Sequence, residues 1–269
     1  VSFRRLADGV ATALGLARSI RIYWADRGAR RRHVRFYAGI LPEGALVFDV
    51  GAHVGHRARA LIDAGARVVA IEPQPVFLAL LRRLFAGEPR VILVGAALGG
   101  AAGEAVLRIS RRHPTVSTLH ADWIGAVRTD PGFSQVRWDG TADVPVETLD
   151  RLIARYGRPA YVKIDVEGGE ADVLAGLHTP LDLISFEALA AAPAAAEAAL
   201  RRLEALGAYR YNLVRGEGGA FAFPDWVDAP TLRARLSGEP GHVDVFARLP
   251  AGPAAGPGDG GSVSGRPRR

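Results

Sequence analysis

The stretch ALVFDVGAHVGHRARALIDAGARVVAIE, residues 45–72, decides how the rest of the chain is read. Ala45 to Val50 is a short apolar run that predicts a strand. Gly51, Ala52, His53, Val54 and Gly55 predict a tight turn. Arg57 to Ala64 then predicts a helix, and Arg67 to Glu72 a second strand that closes on an acid. A strand, a glycine-bearing turn, a helix and a strand ending in a carboxylate make one half of a nucleotide-binding α/β sheet.

The turn narrows the ligand. It reads Asp-x-Gly-x-x-x-Gly, not Gly-x-Gly-x-x-Gly. Gly51 and Gly55 permit a close backbone approach. His53 stands where the dinucleotide fingerprint has its second glycine, and its bulk argues against a pyrophosphate on the helix N-terminus. Asp49, just before the turn, would repel a phosphate and attract a cationic or amino group. Glu72 can accept hydrogen bonds from both hydroxyls of a ribose. A ligand with a ribose, an ammonium group and no phosphate meets these demands, as S-adenosylmethionine does. The competing reading makes Gly51 and Gly55 no more than a tight strand-to-helix turn.

Working outward, Val76 to Phe85 predicts a helix behind Pro73 and Pro75, and Arg90 to Val94 a third strand that ends at Gly95-Ala96-Ala97. Glu104 to Ser110 alternates like a further strand. Residues 111–142 are broken by Pro114, Asp130-Pro131-Gly132 and Asp139-Gly140, which predicts a long functional loop. Val144 to Val146 is extended, and a helix runs to about Tyr156. Tyr161 to Val166 predicts a central strand with Asp165 at its end, followed by a short helix within Glu167 to Leu177. Leu181 to Phe186 predicts a strand ending in Glu187, and Ala191 to Leu206 a helix closed by Gly207. Strands at Ala208 to Val214 and Val243 to Arg248 bracket a small helix at Thr231 to Leu236. Upstream, residues 3–20 predict a helix, Ser19 to Trp24 a short strand, Arg27 to Arg32 a turn and His33 to Tyr37 an edge strand. Residues 1–40 thus read as a basic helical and extended lobe, and residues 250–269, rich in Pro, Gly and Ser, as a disordered tail.

Composition sets outer bounds. The 269 residues are 49% apolar, enough for one large core. Cysteine is absent, which excludes disulfides, thiolate metal sites and cysteine nucleophiles, and a reducing, cytoplasmic setting is expected. No apolar run of about 18 residues is present to span a bilayer. Asp8, Arg18 and Arg21 make the opening segment an amphipathic helix, not a signal peptide. The net charge of +6 is uneven: residues 1–35 hold nine arginines against Asp8 and Asp26, and the remainder is nearly neutral. Such a lobe could meet nucleic acid, anionic lipid or an acidic substrate. No aromatic-rich nucleic-acid module accompanies it, so a solvated arginine-rich face is the preferred reading, and no nucleic-acid partner is expected.

The stretches VFDVGAHVGHRA, VVAIEPQP, VGAALGG, DVPVETLD, YVKIDVEGGEADVLAGL and ISFE together resemble the FkbM family of class I S-adenosylmethionine-dependent methyltransferases. His53 takes a place that is usually Asn in that family, and Gly95 one that is usually polar. The resemblance runs from about residue 45 to 190, and the strand near Val243 to Phe246 also fits. It implies a Rossmann-like α/β fold over residues 41–249, with a seven-stranded, mostly parallel sheet whose last strand is antiparallel. By the same resemblance, Asp49, Gly51, His53 and Gly55 would line the methionine end of the cofactor, Glu72 would hold the ribose, and Gly95, Ala96 and Ala97 would lie near the adenine. It further implies O-methylation of a sugar or secondary-metabolite hydroxyl.

Methyl transfer needs alignment and a group that removes the acceptor's proton. Asp165, at a strand end, is the first candidate, with Glu187 on the neighbouring strand and Glu167 just beyond. His120 is a second type of base, in a Ser-Thr-Leu-His segment that resembles a substrate-facing one of the family; His56 is another. Asp and Glu at such strand ends also cap helices, and a surface place or a cap is the preferred reading for Glu170. No metal is signalled, because no helix carries a His-x-x-x-His pair with an acid partner, although the three acids could bind substrate hydroxyls or a divalent ion. The expected partner is a hydroxyl-bearing small molecule, a saccharide among the candidates. N-methylation, or a nucleic-acid-associated methyltransferase using the basic lobe, are the alternatives. A homo-oligomer is left open.

Overall fold

The computed structural model describes residues 2–250. The expected tail lies outside them, Pro250 apart. Two helices, α1 (Ser2–Ala25) and α2 (Arg27–Ile40), precede β1 (Leu46–Val50), α3 (His56–Asp63), β2 (Arg67–Ile71), α4 (Pro75–Leu84) and β3 (Val91–Val94). Then come β4 (Ala97–Leu98), β5 (Gly103–Ile109), α5 (Ala121–Val127), β6 (Gly140–Glu147), α6 (Leu149–Tyr156), β7 (Tyr161–Ile164) and α7 (Glu170–Ala175). The chain closes with β8 (Leu183–Leu189), α8 (Pro193–Leu206), β9 (Arg210–Arg215), α9 (Ala229–Leu236) and β10 (His242–Arg248).

Seven strands form one sheet in the order β3-β2-β1-β7-β8-β10-β9. Strands β3, β2, β1, β7 and β8 are mutually parallel, and β10 runs antiparallel between β8 and β9. This is the class I methyltransferase arrangement that the resemblance implied. A small second sheet, β4-β6-β5, stands beside it. Among the described residues no helix is long and apolar enough to cross a membrane.

Alternation along the strands sorts the core into two layers. Phe48, Val50, Val162, Ile164, Ile184 and Phe186 pack with Leu152 of α6, Leu174 of α7 and Leu203 of α8. Val47, Val68, Ala70, Tyr161 and Phe246 pack with Tyr37 of α2, Leu61 of α3 and Leu81 of α4. Asp49 and Lys163 share the second face with Val47 and Tyr161, and the register sets them side by side on β1 and β7. Both side chains are buried.

Four expectations need correction. Ser19 to Trp24, the expected turn at Arg27 to Arg32, and His33 to Tyr37 are all helical, within α1 and α2. Ala29, His33 and Tyr37 fall four residues apart on one buried stripe, so packing on α3 overrides the local strand preference of the aromatic and β-branched residues. Asp26 caps α2 by accepting the Ala29 N–H at 2.9 Å. The region 111–142 is not all loop: α5 buries Trp123, Ile124 and Val127 against Ala192.

The sheet opens at β1, which passes chain to β2 on one side and meets β7 on the other. Gly51 turns the chain there with φ 82°, and a Cβ at that position would stand 1.8 Å from the Asp165 carbonyl oxygen. Replacing Gly51 with Ala therefore forces β1 and β7 apart. We expect Gly51→Ala to lower the unfolding free energy in urea titrations by about 3 kcal/mol or more. A loss under about 1 kcal/mol would show that the turn tolerates a side chain.

Candidate functional site

The β1–α3 turn is held by backbone bonds on the far side of β2. The Gly51 and Ala52 N–H groups both donate to the Ile71 carbonyl, at 2.9 and 3.0 Å. Glu72 follows directly. One of its oxygens accepts the His53 N–H and the other the Gln74 N–H, each at 2.8 Å. The carboxylate thus fixes the turn, and each oxygen keeps lone-pair capacity for a ligand. His53 adopts φ 48°, a left-handed conformation that Asn accepts more readily than His.

A narrow crevice lies along this turn, walled by Gly51, His53, Glu72, Gln74, Ala96, Ala97, Leu107, Ser117, Leu119 and His120. Gln74 ties it to the 111–142 segment by donating to the Pro114 carbonyl at 2.9 Å. Among the described residues no arginine or lysine lines it, so a polyphosphate meets no counter-charge from them. S-adenosylmethionine fits these residues: a bare backbone at Gly51, a carboxylate at Glu72 and small side chains at Ala96 and Ala97. Beneath the turn, both Asp49 oxygens are buried without a hydrogen bond. Asp49 does not line the crevice. Burial raises its pKa, and the nearby Lys163 charge opposes that rise.

Beyond Asp165 the crevice gives way to a wider chamber of about 470 Å³. His53 and Asp165 line both spaces and mark their junction. The C-terminal ends of β7 and β8 bring Asp165, Glu167 and Glu187 to the chamber, and the antiparallel register sets Asp244 opposite Glu187. Lys163 donates to Asp165 at 2.7 Å from a side chain only 2% exposed. Burial acts against both charges of this pair. The Lys163 ammonium nevertheless brings Asp165 down to about 2, and Asp165, Asp244 and Asp49 raise the lysine. Glu187 and Glu167 go the other way. Burial, and then the charge of Asp165, push both well above the ordinary carboxylate range.

Helix α1 forms the chamber's cover. Ile22 and Tyr23 line it, the Tyr23 ring stacks on His56 at 4.6 Å, and Trp24 donates to the Val54 carbonyl at 3.0 Å. Burial, and then Asp165, Glu167 and Glu187, raise the Tyr23 pKa. Arg57 reaches Glu217 at 3.3 Å and Asp244 at 3.4 Å, and His33 reaches Glu217 at 3.1 Å. The His56 ring nitrogens are buried without partners, and burial drives its pKa far down.

The structure brings Gly51, His53, Glu72, Ala96, Ala97 and His120 to the crevice, and Asp165 and Glu187 to the junction and chamber. It sets three predicted residues elsewhere, Asp49 beneath the turn as described, and two glycines. Gly55 starts α3, where a Cβ would meet Leu81 and Phe85, and Gly95 packs against Leu78. His120 is on the crevice side, packed on Gly169, and does not line the chamber. Glu170 is buried rather than on the surface, and accepts the Val166 and Gly168 N–H groups at 3.2 Å as a helix-start cap. Sequence reading missed Tyr23, Arg57, Glu217 and Asp244. Only their distant meeting across the fold gives them a common site, and no local spacing signals it.

The family model for the methyltransferase FkbM domain matches residues 49–212. Ribosomal RNA small subunit methyltransferase A of Phenylobacterium zucineum (strain HLK1) is 29% identical over 234 residues, 80% of this chain and 76% of that protein. Among solved structures, precorrin-6y C5,15-methyltransferase from Geobacter metallireducens GS-15 aligns at 13% identity with TM-score 0.42, covering 82% of this chain and 88% of its own. A TehB-like SAM-dependent methyltransferase from Corynebacterium glutamicum aligns at 14% identity with TM-score 0.41, covering 81% and 88%.

Burial raises Glu72 to about 7, against the pull of its two N–H donors. A carboxyl raised on folding favours the folded state when protonated. That contribution is complete below the exposed-glutamate value of 4.5 and is lost as pH rises through about 7. Wild type should therefore lose up to about 3 kcal/mol relative to Glu72→Gln between pH 4.5 and 8. Urea unfolding at several pH values reads this directly. A stability difference that does not change with pH would place the Glu72 pKa near its unfolded value.

Proposed function

The chain belongs to the FkbM methyltransferase family, and on that premise we propose that it methylates a hydroxyl of a small, hydroxyl-rich molecule, a sugar or a secondary metabolite. It is an S-adenosylmethionine-dependent methyltransferase. When bound, S-adenosylmethionine supplies an electrophilic methyl carbon on a positively charged sulfur. Glu72 holds the ribose with its remaining lone pairs, and the Gly51 turn lets the backbone come close. Residues 41–249 act as the catalytic domain, and α1 and α2 as its cover. A cytoplasmic setting accords with the absence of cysteine.

The observation that carries the acceptor assignment is the chamber's chemistry. Six carboxylates line it, Asp130, Asp165, Glu167, Glu187, Glu217 and Asp244, against one guanidinium, Arg57. Such a wall accepts hydrogen bonds and meets a polyol, whose hydroxyls donate them. Asp165, kept anionic by Lys163, orients the acceptor hydroxyl at the junction. Glu187, on the neighbouring strand and lining the same chamber, takes its proton. Tyr23 and Phe133 shield the junction from water.

A second reading has one observation behind it. The relative from Phenylobacterium zucineum is named for ribosomal RNA, and Arg31 and Arg35 of α2 are exposed without an ion pair among the described residues. Against it, the acid-lined chamber repels a phosphate backbone.

Label from methyl-tritiated S-adenosylmethionine is expected in members of a polyol and glycoside panel, and not in ribosomal RNA. Label in the RNA alone would overturn the assignment. In the active pairing, Glu187→Gln should cut kcat about 100-fold with S-adenosylmethionine affinity unchanged, and Asp165→Asn should cut turnover more than cofactor binding. Wild-type turnover in either variant removes that residue from the mechanism.

A further inference from the structure

Asp165, Glu167 and Glu187 converge at the floor of the chamber. One carboxylate oxygen from each lies within 4.8 Å of the others. Among the described residues their only bonded cation is Lys163, which serves Asp165 alone. Arg57, the other cation of the chamber, is engaged by Glu217 and Asp244. Ionised, three carboxylates against one ammonium would leave two negative charges at one point.

A second observation is independent of that clustering. The Glu167 side chain is only 8% exposed, yet no described group donates to it. The His53 imidazole, also 8% exposed, faces the same chamber and has no hydrogen-bond partner among the described residues. Buried polar groups are almost always paired, so unpaired ones aimed into a cavity indicate a ligand that completes them. The donors closest together are carboxylate oxygens, which are hard ligands and suit Mg²⁺, Mn²⁺ or Ca²⁺.

We propose that Asp165, Glu167 and Glu187 form a divalent-cation site in the acceptor chamber, holding the ion beside the hydroxyl that is to be methylated. The role of the ion rests on the acceptor reading given above; the site itself does not. A divalent ion matches the two surplus charges. One oxygen of each acid faces the ion, so the second oxygen of Glu187 stays free to take the hydroxyl proton. An ion next to that hydroxyl also makes it more acidic.

The test needs neither cofactor nor acceptor. The full chain is stripped with EDTA, dialysed, and titrated with Mn²⁺ while the free ion is followed by electron paramagnetic resonance. One Mn²⁺ per chain is expected, with Kd under about 1 mM. Glu167→Gln and Glu187→Gln should each weaken binding about tenfold or more. Asp182→Asn, an exposed acid outside the chamber, should leave it unchanged. Both glutamine variants are neutral and nearly isosteric, and circular dichroism verifies that they fold. No saturable binding by wild type, or equal binding in both glutamine variants, overturns the site. Mn²⁺ binding that needs Glu167 and Glu187, with no methylation of any hydroxyl, would instead sink the acceptor reading and leave the ion site standing.

Discussion

Lys163 stands mid-strand on β7, beside Asp49 on β1 and two residues before Asp165. A buried ammonium is costly unless carboxylates surround it, and buried carboxylates are costly unless a cation meets them. The pairing settles both at once. It keeps Asp165 ionised at the mouth of the sheet and lets Asp49 remain under the turn without a hydrogen bond. The charge left over falls on Glu167 and Glu187, which have no such partner. The site's asymmetry, one anchored acid and two frustrated ones, follows from this single lysine in the sequence.

The turn on β1 depends on a different restraint. Gly51 must be glycine because the β7 carbonyl occupies the place of a side chain. Glu72 then fastens His53 from β2. The carboxylate expected to hold a ribose is first of all the staple of the turn, and a ligand there shares it with two backbone donors. Crevice shape and ligand chemistry are therefore set by the same few atoms.

Much of this was legible in the chain. The 45–72 stretch announced strand, turn, helix and strand because period-two apolar runs and glycines are local signals. The N-terminal helices were misread as partly extended, since Ser19 to Trp24 and His33 to Tyr37 look β-like on their own and become helical through packing on α3. The short α5 was hidden by flanking prolines and glycines. In the site, Asp165, Glu187 and Glu72 were readable because each ends a strand. Tyr23, Arg57, Glu217 and Asp244 were not, because up to 221 positions separate them (Tyr23 to Asp244) and only the fold brings them together. His120 was read with the acceptor-facing groups from its sequence neighbours; in the fold it lines the crevice and not the chamber.

The reversed strand β10 carries Asp244 into the chamber from the end of the fold, while α1 brings Tyr23 from its beginning. The crevice draws only on residues 50–169. A polypeptide emerging from the ribosome can thus finish its crevice long before its chamber. Between those moments the β8 edge, which β10 later covers, offers unpaired backbone groups. The two spaces are separated in the order of synthesis as well as in the fold, and the chamber, which draws on α1 and β10, closes last.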